Sequence, residues 1–331
     1  MQLQLKRPCG YIVVMTPITG ILIAMLIGIA GTSTIHLSKG VMKHGVVLLR
    51  ACALPEAATG SRSAALAETA AANAAAGSAA STARRVKARG IYTAGVAMNF
   101  TNPIWVIVAN RFAPTVYYTS MYGLGLVSLL FFSHIVLHER LDGRRLLGAV
   151  VVIAGTLIVG LGRIVTPVPG MYLANRTLVL LVAAGWAVAA PLIALFSRRV
   201  SLTLQELLFG LFGGGLASLE AVLKGVAQSG AAGSTFLPQT GPNWAIFVVS
   251  FLGAAGAFAM IQWSYLRRCR VSIMAAAYDV SYVALPLVLV AVAVPGEQLG
   301  LLSILGLLVL AGGAFMMQSK PAAGAGSQVQ T

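Results

Sequence analysis

From Gly10 to Leu37 the chain carries no Lys, Arg, Asp or Glu. Such a run exceeds the roughly 18 apolar residues that suggest a membrane helix. In lipid the backbone must satisfy its own hydrogen bonds, which favours a helix. The run is too long for a secretory signal and lacks a small-residue cleavage pattern, so it reads as a retained helix. Similar runs recur, and nine spans are predicted: 11–36, 90–110, 113–137, 145–162, 177–197, 205–224, 243–265, 271–293 and 299–318. The runs are continuous rather than alternating, which argues against a β-barrel. Only 9% of residues are charged, against roughly 25% in soluble proteins. The expected fold is therefore an all-α polytopic membrane protein. Pro17, Pro103 and Pro286 fall inside spans, where neighbouring helices can compensate for them.

The net charge is +15. In a soluble chain that would suggest nucleic acid. Here the basic residues fall between hydrophobic spans, so membrane topology explains them and the partner is the lipid bilayer. Sorting the 23 Lys and Arg by side of a nine-span chain gives 17 against 6, with Lys39 in the larger group and Lys224 in the smaller. The positive-inside rule puts the larger group in the cytosol. The N-terminus is then outside or lumenal and the C-terminus cytosolic. Cys9, Cys52 and Cys269 form no spaced pair and argue for neither disulfides nor zinc.

The organisation expected is a first transmembrane helix and the start of a cytosolic loop (1–50), then an Ala- and Ser-rich loop (51–89). Helices two to four (90–162), a connecting fifth helix (163–203), helices six to nine (204–318) and a cytosolic tail (319–331) follow. A repeat underlies this plan. Glu139, Leu141, Leu147, Gly148 and Gly155 recur as Glu297, Leu299, Leu305, Gly306 and Gly313, each 158 residues on. Gly95, Ala97 and Trp105 recur as Gly253, Ala255 and Trp263 at the same offset. Gly28, Ser33, Lys39 and Gly40 recur as Gly213, Ser218, Lys224 and Gly225 at an offset of 185, and the Ala-rich insert separates the two registers. Two four-helix copies around one unpaired helix must lie in opposite orientations. Inverted repeats are a signature of secondary transporters, although a scaffold can also arise by duplication. Gly148 and Gly155, and the run "GLFGGGLAS" at 210–218, are suited to close helix packing.

"HERLDGRRLLGAVVVIAGTLIVG" (138–160) resembles the end of an EamA-type unit of the drug/metabolite transporter superfamily, and "RFAPTVYYTSMYGLGLVSLLFFSHIVLHERL" (111–141) extends the likeness. Within that superfamily the chain is most similar to the NIPA-like magnesium transporter branch. The likeness lies in "LSKGVMKHG", the long loop before the second helix, "ASLEAVLKGVAQ" and "IQWSYLRRCRVSIMAAAYDV". The resemblance implies a transporter or facilitator for magnesium or a related divalent cation. The alternatives are a carrier of a small organic solute or nucleotide sugar, and a non-transporting scaffold. A homodimer is compatible with each.

Ionisable groups inside a membrane are costly and usually face a cavity or partner. Asp279 lies about 12 Å into the eighth helix by the usual rise, which places it near mid-bilayer. It is a candidate for a substrate or proton pathway, or a carboxyl held protonated or bonded to a tyrosine or backbone group. Glu220 is either a pathway residue or the ion-pair partner of Lys224, four residues on. Asn99 and Asn102 precede Pro103; their amide oxygens suit hard cations, sugars or amines, or interhelical hydrogen bonds. With Tyr278 these residues form the expected substrate pathway, and Asp279 and Glu220 are the candidate metal ligands. Trp105, Tyr117, Tyr118, Trp263 and Tyr278 suit an organic solute, or the core. Glu139 and Glu297 read as helix-end anchors. His134 and His138 have a spacing that zinc uses on a helix, but no third ligand accompanies them. No phosphate loop and no nucleophile with its base is found, so neither an enzyme nor a cofactor is expected.

Overall fold

The computed structural model describes residues 17–52, 67–138, 142–168, 170–231 and 233–317, with side chains of 67–81 excepted. The first helix, α1 (Pro17–Ala51), is 35 residues long. At the usual rise it spans about 52 Å, well past a hydrocarbon core of about 30 Å. This corrects the expected end of the first span at 36. Lys39 is not a loop residue but lies within α1, fully buried. Lys224 is likewise buried, within a helix. Removing Lys39 from the seventeen basic residues and Lys224 from the six leaves sixteen against five, so the charge asymmetry survives.

The second span is broken. α2 (Ala67–Asn99) stops, and α3 (Asn102–Phe112) starts after two intervening residues. Pro103 sits in the first turn of α3, where its missing N–H and fixed φ favour a helix start over continuation. The third span is also interrupted: α4 (Thr115–Thr119), a 3-10 turn (Tyr122–Gly125) and α5 (Leu126–Ile135) follow one another. A Cβ on Gly125 would come within 2.6 Å of the Thr32 carbonyl, so glycine lets this turn lie directly on α1. α5 ends before His138, which has φ +51°. His134 and His138 therefore share no helix face. Glu139 and Leu141 lie outside the described residues.

α6 (Gly143–Val165) is N-capped by Asp142, whose carboxylate accepts from Arg145 N at 2.9 Å. α7 (Arg176–Phe196) and α8 (Leu202–Gln228) are capped in the same way by Asn175 and Ser201. A two-residue-per-strand hairpin (β1 Ser229–Gly230, β2 Gly233–Ser234) leads to α9 (Gly241–Leu266), α10 (Val271–Ala293) and α11 (Leu301–Met317). Among the described residues, eight helical segments are long and apolar enough to cross a membrane, and α11 is a shorter apolar helix of 17 residues. The protein is an all-α polytopic membrane protein. The ends of α5, α7 and α9 lie on one face, which carries Arg198, Arg199, Arg267, Arg268 and Arg270 and is called the basic face below. The ends of α3, α6, α8 and α10 lie on the opposite face.

α8 and α10 are the innermost helices, whereas most of α7 is exposed. Outward Leu, Val, Ile and Phe, such as Leu181, Leu252, Leu308 and Phe315, would face lipid. Gly210 and Gly214 bring α8 onto the backbone carbonyls of Met274 and Tyr278 in α10. α6 and α11 meet through the repeated glycines. A Cβ on Gly148 would lie 2.8 Å from the Gly313 carbonyl, and one on Gly155 would lie 2.8 Å from the Gly306 carbonyl. As one helix rises in number the other falls, so the two cross antiparallel.

Gly155→Ala should lower the thermal midpoint of the solubilised protein, by about 1–3 kcal/mol of overpacking. Gly312→Ala, whose Cβ would meet nothing within 4 Å, should leave it unchanged. Equal effects of the two substitutions would contradict this seam.

Candidate functional site

The core of the molecule holds two ionic clusters joined by tyrosines. The first lies between α3, α4 and α8. Glu220 forms a close ion pair with Lys224, one turn along α8. Its other oxygen accepts from Asn102 Nδ2 at 3.2 Å, and Asn102 Oδ1 accepts from the Tyr118 hydroxyl at 3.2 Å. Lys224 Nζ also sits 4.1 Å from the Phe251 ring centroid, a cation–π contact. Asn99, at the end of α2, is half-buried and only touches Ser38, whose Oγ is 3.5 Å from Asn99 Oδ1. The break between α2 and α3 thus aims Asn102 at Glu220, and leaves Asn99 beside α1.

The second cluster joins α1 to α10. Asp279 Oδ1 lies 2.8 Å from His36 Nε2, and both residues are fully buried. His36 Nδ1 is 2.9 Å from the Thr32 carbonyl. A carbonyl only accepts, so Nδ1 carries a proton. The other ring nitrogen, Nε2, is the one that faces the Asp279 carboxylate. Lys39, nearly one turn beyond His36, places its Nζ 3.6 Å from the Tyr278 centroid and 5.4 Å from that of Tyr122. Neither Lys39 Nζ nor Asp279 Oδ2 has a hydrogen-bond partner among the described residues. Tyr122 and Tyr282 stack at 3.6 Å between centroids, and Tyr278 flanks both.

Two cavities adjoin these clusters. A small one of about 20 Å³ is lined by Asn99, Phe100, Asn102, Glu220, Phe258 and Tyr278, among others. That is room for about one water. A larger one of about 310 Å³ opens on the face opposite the basic one and includes Asn110, Arg111, Thr115, Gly225, Ser229 and Ser234 in its lining. Its floor at Gly225 is adjacent in sequence to Lys224. On the basic face the structure is tied shut. Tyr265 donates to the Lys39 carbonyl at 2.8 Å, and Lys43 Nζ donates to the Cys269 carbonyl at 2.8 Å. Arg50 Nη2 donates to the Tyr265 carbonyl at 3.0 Å. Glu206 accepts from Arg270 N, Nε and Nη2 at 2.7, 2.9 and 2.7 Å. Burial, with the Glu206 carboxylate nearby, pushes the Cys269 thiol up to about 11, so it stays protonated at neutral pH.

Asp279, Glu220, Asn102 and Tyr278 are therefore all in the core, with Asn99 at its edge. Asp279 and Glu220 have different partners, and no group of three or more His, Cys, Asp or Glu suited to a metal occurs among the described residues. Glu297 accepts from Arg163 Nη1 at 2.6 Å and ties the α10–α11 loop to the end of α6. His36 and Lys39 were missed from the sequence. The signal was "TIHLSKG", where a His and a Lys three residues apart share one face of an apolar helix.

Glu220→Gln should destabilise the protein by about 3–5 kcal/mol, because it strands the Lys224 ammonium in the core. The double variant Glu220→Gln, Lys224→Gln should recover part of that loss in a thermal or denaturant midpoint. Additive losses would show that the pair is not coupled.

No protein-family model matches the chain, and no curated protein or solved structure matches it.

Proposed function

We propose that this protein is a secondary transporter in which two inverted four-helix units, nine spans in all, enclose a site of paired charges. The antiparallel α6–α11 seam supports the inversion. Under the repeat Gly148 corresponds to Gly306 and Gly155 to Gly313, so the Gly148–Gly313 contact maps onto the Gly155–Gly306 contact, as a two-fold axis in the membrane plane would require. Broken membrane helices beside a mid-membrane site are a feature of transporters. Here the α2–α3 break carries Asn102 to that site and leaves Asn99 at its edge. A scaffold has no use for buried ionisable groups that cost stability.

The substrate we favour is a small organic solute. The carrying observation is charge balance: Glu220 is neutralised by Lys224, and Asp279 is bonded to His36 with Lys39 close by. A divalent cation needs an excess of oxygen ligands and negative charge. The resemblance to magnesium transporters points the other way, yet the cavity beside Glu220 holds about one water, whereas magnesium usually keeps several. The nine-span plan places the basic face in the cytosol.

Proteoliposomes with an entrapped magnesium indicator decide between the two substrate classes. The expected result is no saturable magnesium uptake, with counterflow of an organic solute that Asp279→Asn abolishes. Saturable magnesium uptake, lost in Asp279→Asn, would overturn the organic-solute reading.

A further inference from the structure

The basic side chains inside this molecule follow one another from the large cavity to the core. Arg111 is exposed in the lining of the 310 Å³ cavity, and no Asp or Glu lines it. Gly225 lines the same cavity, and the next residue inward along α8 is Lys224. Lys224 is held by Glu220, and Glu220 borders the small cavity together with Tyr278. The other side of the Tyr278 ring system leads to Lys39, whose Nζ lies 3.6 Å from the ring centroid. Lys39 is fully buried and its Nζ has no hydrogen-bond partner among the described residues. A buried ammonium normally has its donors matched, and cation–π contact with a tyrosine replaces this only in part.

Resting on the transport reading above, we infer that the path from the large cavity to Lys39 selects small organic anions, with Arg111 at its mouth, Lys224 at its neck and Lys39 as the innermost carboxylate- or phosphate-binding group. Arg111 and Lys39, neither of them ion-paired among the described residues, with an acid-free lining at the entrance, raise the local concentration of anions and repel cations, while the charge of Lys224 between them is balanced by Glu220. Glu220 supplies the neck with an internal anion: it occupies Lys224 until an incoming carboxylate or phosphate competes for the ammonium. Asp279, bonded to His36, stands beside Lys39 without taking its hydrogen bonds. Of the stacked tyrosines 122, 278 and 282, Tyr278 also borders the small cavity and gives the path an aromatic edge there. A cavity of about 310 Å³ matches the lower range of small-molecule sites.

The test is thermal stabilisation of the full-length chain in detergent, titrated with lactate, succinate, glycerol 3-phosphate, choline or magnesium. Binding to the folded state raises the midpoint by mass action. At least one of the three anions should raise it saturably, less so at high salt. Lys39→Gln should shift the half-saturating concentration up by about tenfold, the loss expected for one charged hydrogen bond, and Lys39→Arg should restore most of it. Arg111→Gln, an exposed position that leaves the core untouched, should weaken binding by a smaller factor and flatten its salt dependence. Stabilisation by choline or magnesium alone, by none of the five, or by an anion with equal strength in Lys39→Gln and Arg111→Gln would overturn the inference. The two readings fail separately. Anion binding without flux in proteoliposomes refutes transport and keeps the anion path, whereas saturable flux of a cation does the reverse.

Discussion

Placing charge in a low-dielectric core is costly unless each charge is matched. The rest of the architecture serves that requirement. Lys224 lies one turn from Glu220 on a single helix, so this match is made locally. Asp279 cannot be matched locally, and it recruits His36 from a helix 243 residues earlier. The Asp279–His36 bond is therefore a constraint on topology. It holds α1 against α10, and it requires the Tyr122–Gly125 turn to lie flat enough on α1 for the histidine to reach across.

Helices can bring these charges within bonding distance only where side chains do not keep them apart. Glycines at 210 and 214 bring α8 onto α10, and the four repeated glycines bring α6 onto α11. Membrane helices gain little from apolar burial against each other, because lipid is as apolar as leucine, so packing and polar bonds decide their contacts. The same close approach explains why the core around Asp279 has little free space. The large cavity stops at Gly225, while the basic face is closed by Lys43, Arg50 and Arg270. Among the described residues, the large cavity thus opens toward one face, and hydrogen bonds tie the helix ends together at the other.

The helical class, most spans and the glycine seam were legible in the sequence, because hydropathy and small-residue spacing are local signals. The Glu220–Lys224 pair was legible for the same reason, as an i, i+4 spacing. The Asp279–His36 bond was not, since no local pattern links residues so far apart. Lys39 was misplaced because a lysine after an apolar run usually marks the membrane edge. Here α1 continues, and the Tyr278 and Tyr122 rings shelter the ammonium. The break at Phe100–Thr101 was not expected, because Pro103 reads as tolerated inside one continuous span, and its consequence, Asn102 turned onto Glu220, depends on where α8 lies.

If paired buried charges sit between two halves that exchange access, the two faces must move in opposite senses. Spin labels at Phe112 and Ala231 report the open face, and labels at Ala51 and Leu266 report the sealed one. Pulsed electron–electron resonance on both pairs, with pH and solute varied, measures the distances directly. Alternating access predicts two populations whose shifts are opposed: the first distance shortens as the second lengthens. A single distance on each face, unchanged under every condition, would contradict a transporter and leave a rigid membrane scaffold.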